Sequence, residues 1–398
     1  MQGYNRSMIQ KSTASQPRGI HGLAWLCLLL TALSAQGASL PVVHNPGASF
    51  VDVRARRAAL QDAKTPRLLD ALHHLGSCQG ATVPAPPPDS EIIPSRYVSG
   101  SHGPINPREE ELSRPYNQLQ KIVADAANRY LVTGDSGEAV CAINAMKPWA
   151  RAGALLTYNA ADNRQKSYVA EWQVASLALA ISIFRDDPRL KPADRTLVID
   201  WLRSAALKLM ADNADFRAEA EGNNHFYWRG LAYTATGIIS GNNPLYQTGL
   251  AIYAKAIGDM DSQGAFPREM KRHELALHYQ AFAIEPLVMI AELAQRQGND
   301  LYSLSVNGHR LKDAIDFLRR SIADPALLSA YAPEPQVNEM DSGSPLLSWV
   351  EFWNQHSPDP AWQGVLKKPF HDVRAGGSTT LLAAPLQEAA QPAALTAQ

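Results

Sequence analysis

Apolar residues recur at spacings of three and four along most of the chain from residue 112 onward, and this periodicity limits the possible folds more than any other feature. The stripe between Tyr168 and Phe184 is wide enough for a buried helix. Pro192 opens the next helical stretch, and another runs over residues 275–297. Runs of Val, Ile and Thr in strict alternation, which would indicate strands, are absent. We therefore expect an all-α fold of helical hairpins arranged in a ring or bundle.

Residues 1–37 have the features of a secretory signal. Arg6, Lys11 and Arg18 precede an apolar run over residues 20–33, and small residues follow. The run is shorter than the ~20 residues that a membrane span needs, so a retained anchor helix is the less favoured alternative. We expect export to the periplasm, removal of the signal, and no membrane contact afterwards.

The charge balance argues against a nucleic-acid partner. Removing residues 1–36 takes away three of the 37 basic residues and none of the 38 acidic ones, so the net charge changes from -1 to -4. Such a chain has no general positive field, and a polyanionic ligand would need a local basic cleft. No heptad or exposed apolar stripe stands out, so we expect a monomer.

Cys78 and Cys141 remain after the signal is removed. In an exported protein two cysteines most simply form one disulfide, which would stabilise the fold by ~4 kcal/mol across so long a loop. Two buried free thiols are the alternative.

Two segments are predicted to be irregular. Residues 92–112 follow a proline-rich stretch, carry Gly, Ser and Pro, and are expected to form a long, mobile, functional loop. Residues 375–398 contain a single charged residue and are predicted to be a disordered tail. One domain over residues 38–374 would lie between the signal and this tail.

Two short motifs carry the chemistry. Asn224 and His225 lie within Asn-Asn-His-Phe-Tyr-Trp at residues 223–228, and Arg272 and Tyr279 follow about fifty residues later. Asn and Arg side chains can neutralise a carboxylate, His can accept the adjacent proton, and Tyr can protonate a leaving oxygen. This set suits β-elimination on a uronic acid polymer. A nearby arginine is expected to lower the tyrosine pKa, which would allow tyrosine to act as the base instead.

The spacing of the second motif predicts its geometry. Seven residues make about two helical turns, so Arg272 and Tyr279 should share one helix face, ~10 Å apart along the axis. Each residue also has an ordinary structural role open to it. Asn223 and Asn224 could cap a helix, and His225 and Tyr279 could be core residues. Arg272 could pair on the surface with Glu269 or Glu274.

A zinc site is not expected. His273, Glu274 and His278 resemble a metalloprotease motif, but the two histidines are five residues apart instead of four, so their rings would not converge. No phosphate-binding loop or nucleophile elbow is present, and we expect no cofactor.

The motifs resemble those of a known family. The segment from Asn223 to Leu231, and Arg272 with Ala276-Leu277-His278-Tyr279, are similar to the two signatures of the periplasmic alginate lyases of polysaccharide lyase family 5. The resemblance covers most of residues 75–360. It implies an incomplete α/α toroid with a deep cleft and a mobile lid. It also implies cleavage of mannuronate-rich alginate without a cofactor, giving an unsaturated uronate at the new non-reducing end.

The resemblance also assigns roles to residues. Asn224, His225 and Arg272 would handle the carboxylate and Tyr279 would protonate the leaving oxygen, while either His225 or Tyr279 could take the proton. Arg96 and Tyr97 correspond to a Lys-Tyr pair on the lid. Sugar rings could stack on aromatic side chains in the cleft, although core packing is an equal alternative for each of them; the candidates are Trp172, Trp228 and Tyr168.

Two other functions remain open on the sequence alone. A glycoside hydrolase on an α/α barrel would need two placed carboxylates, for which no paired spacing is visible. The acidic candidates are Glu221, Asp259, Glu269 and Glu285. A non-catalytic component that holds alginate during periplasmic export is the second alternative.

Overall fold

The structure, a computed structural model, describes residues 40–220 and 222–386, without the side chains of residues 213–221. The predicted signal at residues 1–37 and the last part of the predicted tail, residues 387–398, lie outside the described residues.

Twelve α-helices account for most of the described chain, and only isolated β-bridges occur beside them there. In chain order they are α1 Val53–Leu60, α2 Pro66–His73, α3 Pro107–Thr133, α4 Ser136–Ala152, α5 Arg164–Phe184, α6 Pro192–Ala220, α7 Asn224–Ser240, α8 Asn243–Gly258, α9 Ala276–Gln295, α10 Leu311–Ala323, α11 Val350–His356 and α12 Thr379–Ala383. Six short 3₁₀ segments supplement them. The all-α prediction is confirmed.

The helices alternate between two layers. Helices α3, α5, α7 and α9 pack in succession against one another and form the inner layer, while α4, α6, α8 and α10 pack outside them. The result is the predicted α/α toroid. Inner helices are buried on nearly all sides, which explains the apolar sequence of α5. By length and composition alone α5 could cross a membrane, but 89% of its apolar stretch is buried inside the fold.

The contact between α7 and α8 depends on small residues. A Cβ added to Gly249 would lie 2.0 Å from Thr234 Oγ1, and one added to Gly237 would lie 2.6 Å from the backbone nitrogen of Tyr246. Both positions therefore require glycine. This close approach fixes α7, the helix that carries Asn224 and His225.

The predicted lid folds back on itself. The Val98 amide donates to the Pro104 carbonyl at 3.0 Å, and the Asn106 amide donates to the Arg96 carbonyl at 2.7 Å. Asn106 caps α3 and Pro107 follows at its first position, so the loop ends before residue 107 instead of at residue 112.

The predicted disordered tail is wrong for residues 375–384. Helix α12 lies in this segment, and its residues are buried. Arg56 Nε donates to the Leu381 carbonyl at 2.7 Å, and Asn128 Nδ2 donates to the Gly376 carbonyl at 2.8 Å. The low charge of this segment therefore reflects burial, and the domain continues beyond residue 374.

Cys78 and Cys141 form the expected disulfide, which spans 63 positions and joins the segment before the proline-rich stretch to α4. The proline-rich stretch is itself fastened to the core. Lys166 is fully buried, and its ammonium donates to the carbonyls of Pro88 at 2.6 Å and Glu91 at 3.0 Å.

Candidate active site

A cleft of about 1220 Å³ lies at the amino-terminal ends of the inner helices. Its walls come from residues 109–120 of α3, residues 165–172 of α5, His225 in the first turn of α7, and Tyr279 and Phe282 of α9. The volume exceeds the ~300–1,000 Å³ of most small-molecule pockets and suits an oligomeric ligand. Helix amino-termini carry partial positive charge, so four of them around one cleft favour an anionic ligand.

Charged side chains strengthen this preference. Basic residues outnumber acidic ones along the cleft: the basic group is Arg96, Arg164, Arg268, Lys271, Arg272 and Arg374, and the acidic group is Glu109 and Glu339. The local basic cleft that a net negative chain needs for a polyanion is therefore present.

Arg272 and Tyr279 meet in a way that the sequence did not predict. Arg272 lies between two 3₁₀ turns ahead of α9, so the two residues do not share a helix face. His273 adopts a φ of 53°, a left-handed conformation that interrupts the helix. The Arg272 guanidinium carbon lies 4.4 Å from the centre of the Tyr279 ring. The prediction that the two residues share one helix face is wrong, because only Tyr279 lies in a helix.

The Tyr279 hydroxyl donates a hydrogen bond to the Tyr97 hydroxyl at 3.0 Å. Burial and the neighbouring Tyr97 raise the pKa of Tyr279 well above its usual value of 10.0, although Arg272 acts in the opposite direction. The expected lowering by arginine is thus outweighed. Tyr279 holds its proton at neutral pH and is equipped to act as an acid.

The His225 ring is held in place by Glu171 and Tyr168. Its Nδ1 lies 2.6 Å from Glu171 Oε1, and its ring stacks on Tyr168 with the centres 3.4 Å apart. Burial first, and then Arg272 and Arg229, lower the pKa of His225 well below 6.5. The imidazole is therefore neutral at pH 7, with Nδ1 engaged by Glu171 and the ring lining the cleft.

Asn224 is fully buried and does not line the cleft. Its Nδ2 donates to both oxygens of Glu269, at 3.0 and 3.1 Å, and its Oδ1 has no hydrogen-bond partner among the described residues. Glu269 also pairs with Arg272 Nε at 3.4 Å. In this state Asn224 orients the carboxylate that holds Arg272, and its direct contact with a substrate carboxylate stays a prediction. The capping role belongs to Asn223, whose side chain accepts from the Phe226 amide.

The aromatic candidates separate into two groups. Trp172 and Tyr168 line the cleft and are only partly buried. Trp228 is fully buried one turn deeper along α7, with its ring centre 5.2 Å from that of Phe282. The predicted stacking of sugar on Trp228 is therefore wrong, because the cleft reaches only the first turn of α7.

The lid places its predicted pair over the cleft. Tyr97 reaches Tyr279 as described, and Arg96 Nη1 lies 3.2 Å from Glu109 Oε2 at the start of α3. His102 Nδ1 and the Gly103 amide contact Glu274 Oε1 at 3.3 and 3.2 Å, which fastens the lid to the segment beside Arg272.

Sequence reasoning missed Arg374 and Glu171. Arg374 lines the cleft, pairs with Asp372 at 2.8 Å, and lies 5.0 Å from the centre of the Phe282 ring. It falls at the predicted domain boundary, where nothing in the sequence marked a site. Glu171 carried a usable signal, because it lies within three residues of Tyr168 and Trp172 on one helical stripe.

The acidic residues nominated for hydrolysis are not arranged for it. Glu269 and Glu285 are fully buried and Asp259 pairs with Lys255, so none of these three lines the cleft. Glu221 lies outside the described residues.

The zinc-like histidines bind separate carboxylates. His273 Nδ1 contacts Glu334 at 2.9 Å and His278 Nδ1 contacts Glu339 at 2.6 Å. No group of three potential metal ligands occurs in the part of the chain that the structure describes.

Comparison with other proteins agrees with this geometry. The family model described as alginate lyase matches residues 57–328. A protein of Stenotrophomonas maltophilia named polysaccharide lyase is 33% identical over 342 residues, covering 81% of this chain and 96% of its own length. An alginate lyase of Pseudomonas syringae is 27% identical, over 79% of this chain and 85% of its own length.

Solved structures are similar as well. Alginate lyase A1-III from Sphingomonas species A1 superposes with a TM-score of 0.80 at 38% identity, covering 87% of this chain and 100% of that one. A Tyr-to-Phe variant of alginate lyase A1-III, complexed with a tetrasaccharide, superposes with a TM-score of 0.83 at 37% identity, covering 90% of this chain and 99% of that one. The chain is a polysaccharide lyase that acts on alginate, and it belongs to the alginate lyases of polysaccharide lyase family 5.

Proposed function

We propose that this lyase cleaves alginate at β-D-mannuronate units by β-elimination and leaves a 4-deoxy-unsaturated uronate at the new non-reducing end. The observation that carries the proposal is the meeting of three groups in one basic cleft: the neutral imidazole of His225, the guanidinium of Arg272 and the protonated phenol of Tyr279.

Arg272 neutralises the C5 carboxylate. The proton at C5 becomes acidic enough to remove only when that carboxylate is stabilised as the negative charge develops. The Arg272 guanidinium provides a permanent charge and a rigid fork of donors, and Glu269 holds it in place at 3.4 Å.

His225 takes the C5 proton and Tyr279 protonates the glycosidic oxygen. A neutral imidazole has a free lone pair at pH 7, whereas the raised pKa of Tyr279 makes its phenol a poor base in the free enzyme. The sequence left this division open, and the surroundings of the two side chains favour this assignment.

Mannuronate is the preferred unit. In mannuronate the C5 proton and the C4 oxygen lie on the same face of the ring, whereas in its C5 epimer guluronate they lie on opposite faces. Arg272 lies over the Tyr279 ring, and Arg272, Tyr279 and His225 all line one cleft. A uronate anchored on Arg272 would meet Tyr279 and His225 from one side. The resemblance to mannuronate lyases supports the same choice.

The enzyme acts in the periplasm as a monomer, according to this proposal. Export is supported by residues 1–37, in which basic residues precede an apolar run and small residues follow it. The monomer is supported by the sequence, in which no heptad repeat or exposed apolar stripe stands out.

The test is digestion of polymannuronate, polyguluronate and acetylated alginate side by side, following the ultraviolet absorbance of the new double bond. Polymannuronate should be degraded fastest. Equal or faster degradation of polyguluronate would refute the preference for mannuronate. A parallel His225→Ala variant should still bind the polymer while making no double bond; loss of binding alone would point to a holding role for His225.

A further inference from the structure

Helices α5 and α7 are bridged directly behind His225 by buried polar side chains. Glu171 Oε1 lies 2.6 Å from His225 Nδ1, and Glu171 Oε2 accepts from Arg229 Nε at 3.1 Å. Arg229 Nη2 also donates to Ser167 Oγ at 3.0 Å. Ser167 and Glu171 lie four residues apart on α5, and His225 and Arg229 lie four residues apart on α7. The four side chains therefore form a closed square between the two helices.

The two charges of this square are shut off from water. Glu171, Arg229 and Ser167 have no exposed surface. A guanidinium keeps its proton in proteins, and a buried cation requires an anionic partner. Burial opposes the charged form of Arg229, yet Glu171 holds the pKa of the guanidinium above its usual value. Burial raises the pKa of Glu171 well above 4.5, although Arg229 acts in the opposite direction. The permanently charged guanidinium 3.1 Å away nevertheless requires an anionic partner, so we assign the pair as ionised and neutral overall.

We propose that Glu171 is a positioning residue that fixes the tautomer of His225, with its proton on Nδ1, and that Arg229 acts through Glu171 by keeping the carboxylate ionised. This inference rests on the proposed role of His225 as the base. An ionised carboxylate accepts hydrogen bonds only, so the imidazole must donate its Nδ1 proton to it. The lone pair then resides on Nε2, on a ring that lines the cleft.

The stacking partner prevents the other arrangement. Tyr168 covers one face of the imidazole at 3.4 Å with an angle of 14° between the planes, which opposes a ring flip that would turn Nδ1 toward the cleft. The charged groups that face His225 are Glu171 and Arg229 from behind and Arg272 from the cleft side. Burial keeps the ring neutral, and Arg272 and Arg229 act in the same direction.

The reaction follows with its atoms balanced. Nε2 accepts the C5 proton, and the electrons of the C5–H bond form the C4–C5 double bond. The bond between C4 and the glycosidic oxygen breaks, and Tyr279 gives that oxygen its proton. The imidazolium formed keeps its Nδ1 proton on Glu171, whose negative charge stabilises it.

A purely structural role is the competing interpretation, since the pair also ties α5 to α7. Replacing Glu171 alone would leave Arg229 charged and unpaired in the core and could prevent folding. The double variant Glu171→Gln/Arg229→Gln removes both charges at once and keeps the side chains polar. A matched control is Glu351→Gln, which breaks the buried ion pair of Glu351 with Arg67 outside the cleft.

The direct readout is nitrogen NMR of histidine-labelled full-length protein, which reports which ring nitrogen of His225 carries the proton without relying on activity. Wild type should show Nδ1 protonated and Nε2 bare, and the double variant should shift the proton toward Nε2. Its kcat on polymannuronate should fall at least ~100-fold, by the analogy with wrong-tautomer variants of catalytic triads, with a smaller change in KM. Glu351→Gln should keep wild-type kcat and tautomer.

Two results would overturn the inference: a wild-type His225 protonated on Nε2, or a folded double variant whose kcat stays within a few-fold of wild type. Failure of the proposed function looks different. In that case wild type makes no unsaturated product from any alginate, while the Nδ1 tautomer is still observed.

Discussion

Replacing Tyr279 with phenylalanine removes one atom at the centre of the cleft and leaves the ring in place. The lost hydroxyl contacts Tyr97 at 3.0 Å, a neutral hydrogen bond whose net contribution to the free energy of unfolding is about 1 kcal/mol. The ring keeps its place 4.4 Å from the Arg272 guanidinium, so substrate binding should persist. Loss of the general acid should lower kcat about 10²–10⁴-fold, which raises the activation barrier by about 3–5 kcal/mol.

The assay is the initial rate of double-bond absorbance on polymannuronate, with thermal unfolding measured alongside. Tyr253→Phe is a matched control, because it also loses a buried hydroxyl contact, to the Leu301 carbonyl at 2.8 Å, on helix α8 away from the cleft. The control should lose comparable stability and keep its kcat. A Tyr279→Phe enzyme that retains more than about a tenth of wild-type kcat would refute the assignment of Tyr279 as the acid.

Four further outcomes are expected. The pKa of His225 lies well below 6.5 and that of Tyr279 lies well above 10.0. We therefore expect kcat/KM to stay level from pH 6.5 to at least pH 9 and to fall only at the lower pH where His225 becomes protonated. A midpoint of the acid limb at or above pH 6.5 would contradict this. Unfolded histidine binds protons at a higher pH than folded His225 does, so stability should also decline as pH falls below 6.5, measurable by denaturant unfolding. Trp172→Ala should raise KM with little loss of stability, whereas Trp228→Ala should lower the free energy of unfolding by about 3–5 kcal/mol; similar effects of both on unfolding would show the two sites to be equivalent. A chain ending at residue 374 should fail to fold by circular dichroism, and one ending at residue 386 should melt like wild type; a stable shorter chain would show that α12 is dispensable.

Helix periodicity predicted the all-α class, and the two motifs identified three residues that line the cleft, His225, Arg272 and Tyr279. Both depend on local patterns: an apolar stripe determines which side of a helix is buried, and side chains near helix amino-termini meet at one end of a toroid. His225 and Tyr279 therefore both line the cleft, as expected.

The failures concern information that local patterns do not contain. The left-handed φ of His273, between Arg272 and the start of α9, could not be predicted because no glycine marks that position. Burial raises the pKa of Tyr279 against the effect of Arg272, and burial depends on the whole fold. Glu171 and His225 lie 54 positions apart on different helices, so their contact could not be derived from spacing.

Composition was also ambiguous. A segment of Ala, Leu and Thr with little charge resembles a disordered tail, but the same composition suits a helix buried on every side, which is what residues 379–383 form.

The most direct test of the central claim is the chemistry of the new non-reducing end, measured on polymannuronate after digestion. Elimination by His225 and Tyr279 adds no water, so mass spectrometry should find oligosaccharides that absorb in the ultraviolet and weigh one water less than hydrolysis products of the same length. Saturated ends, with the mass of one water gained per bond cleaved, would contradict the account.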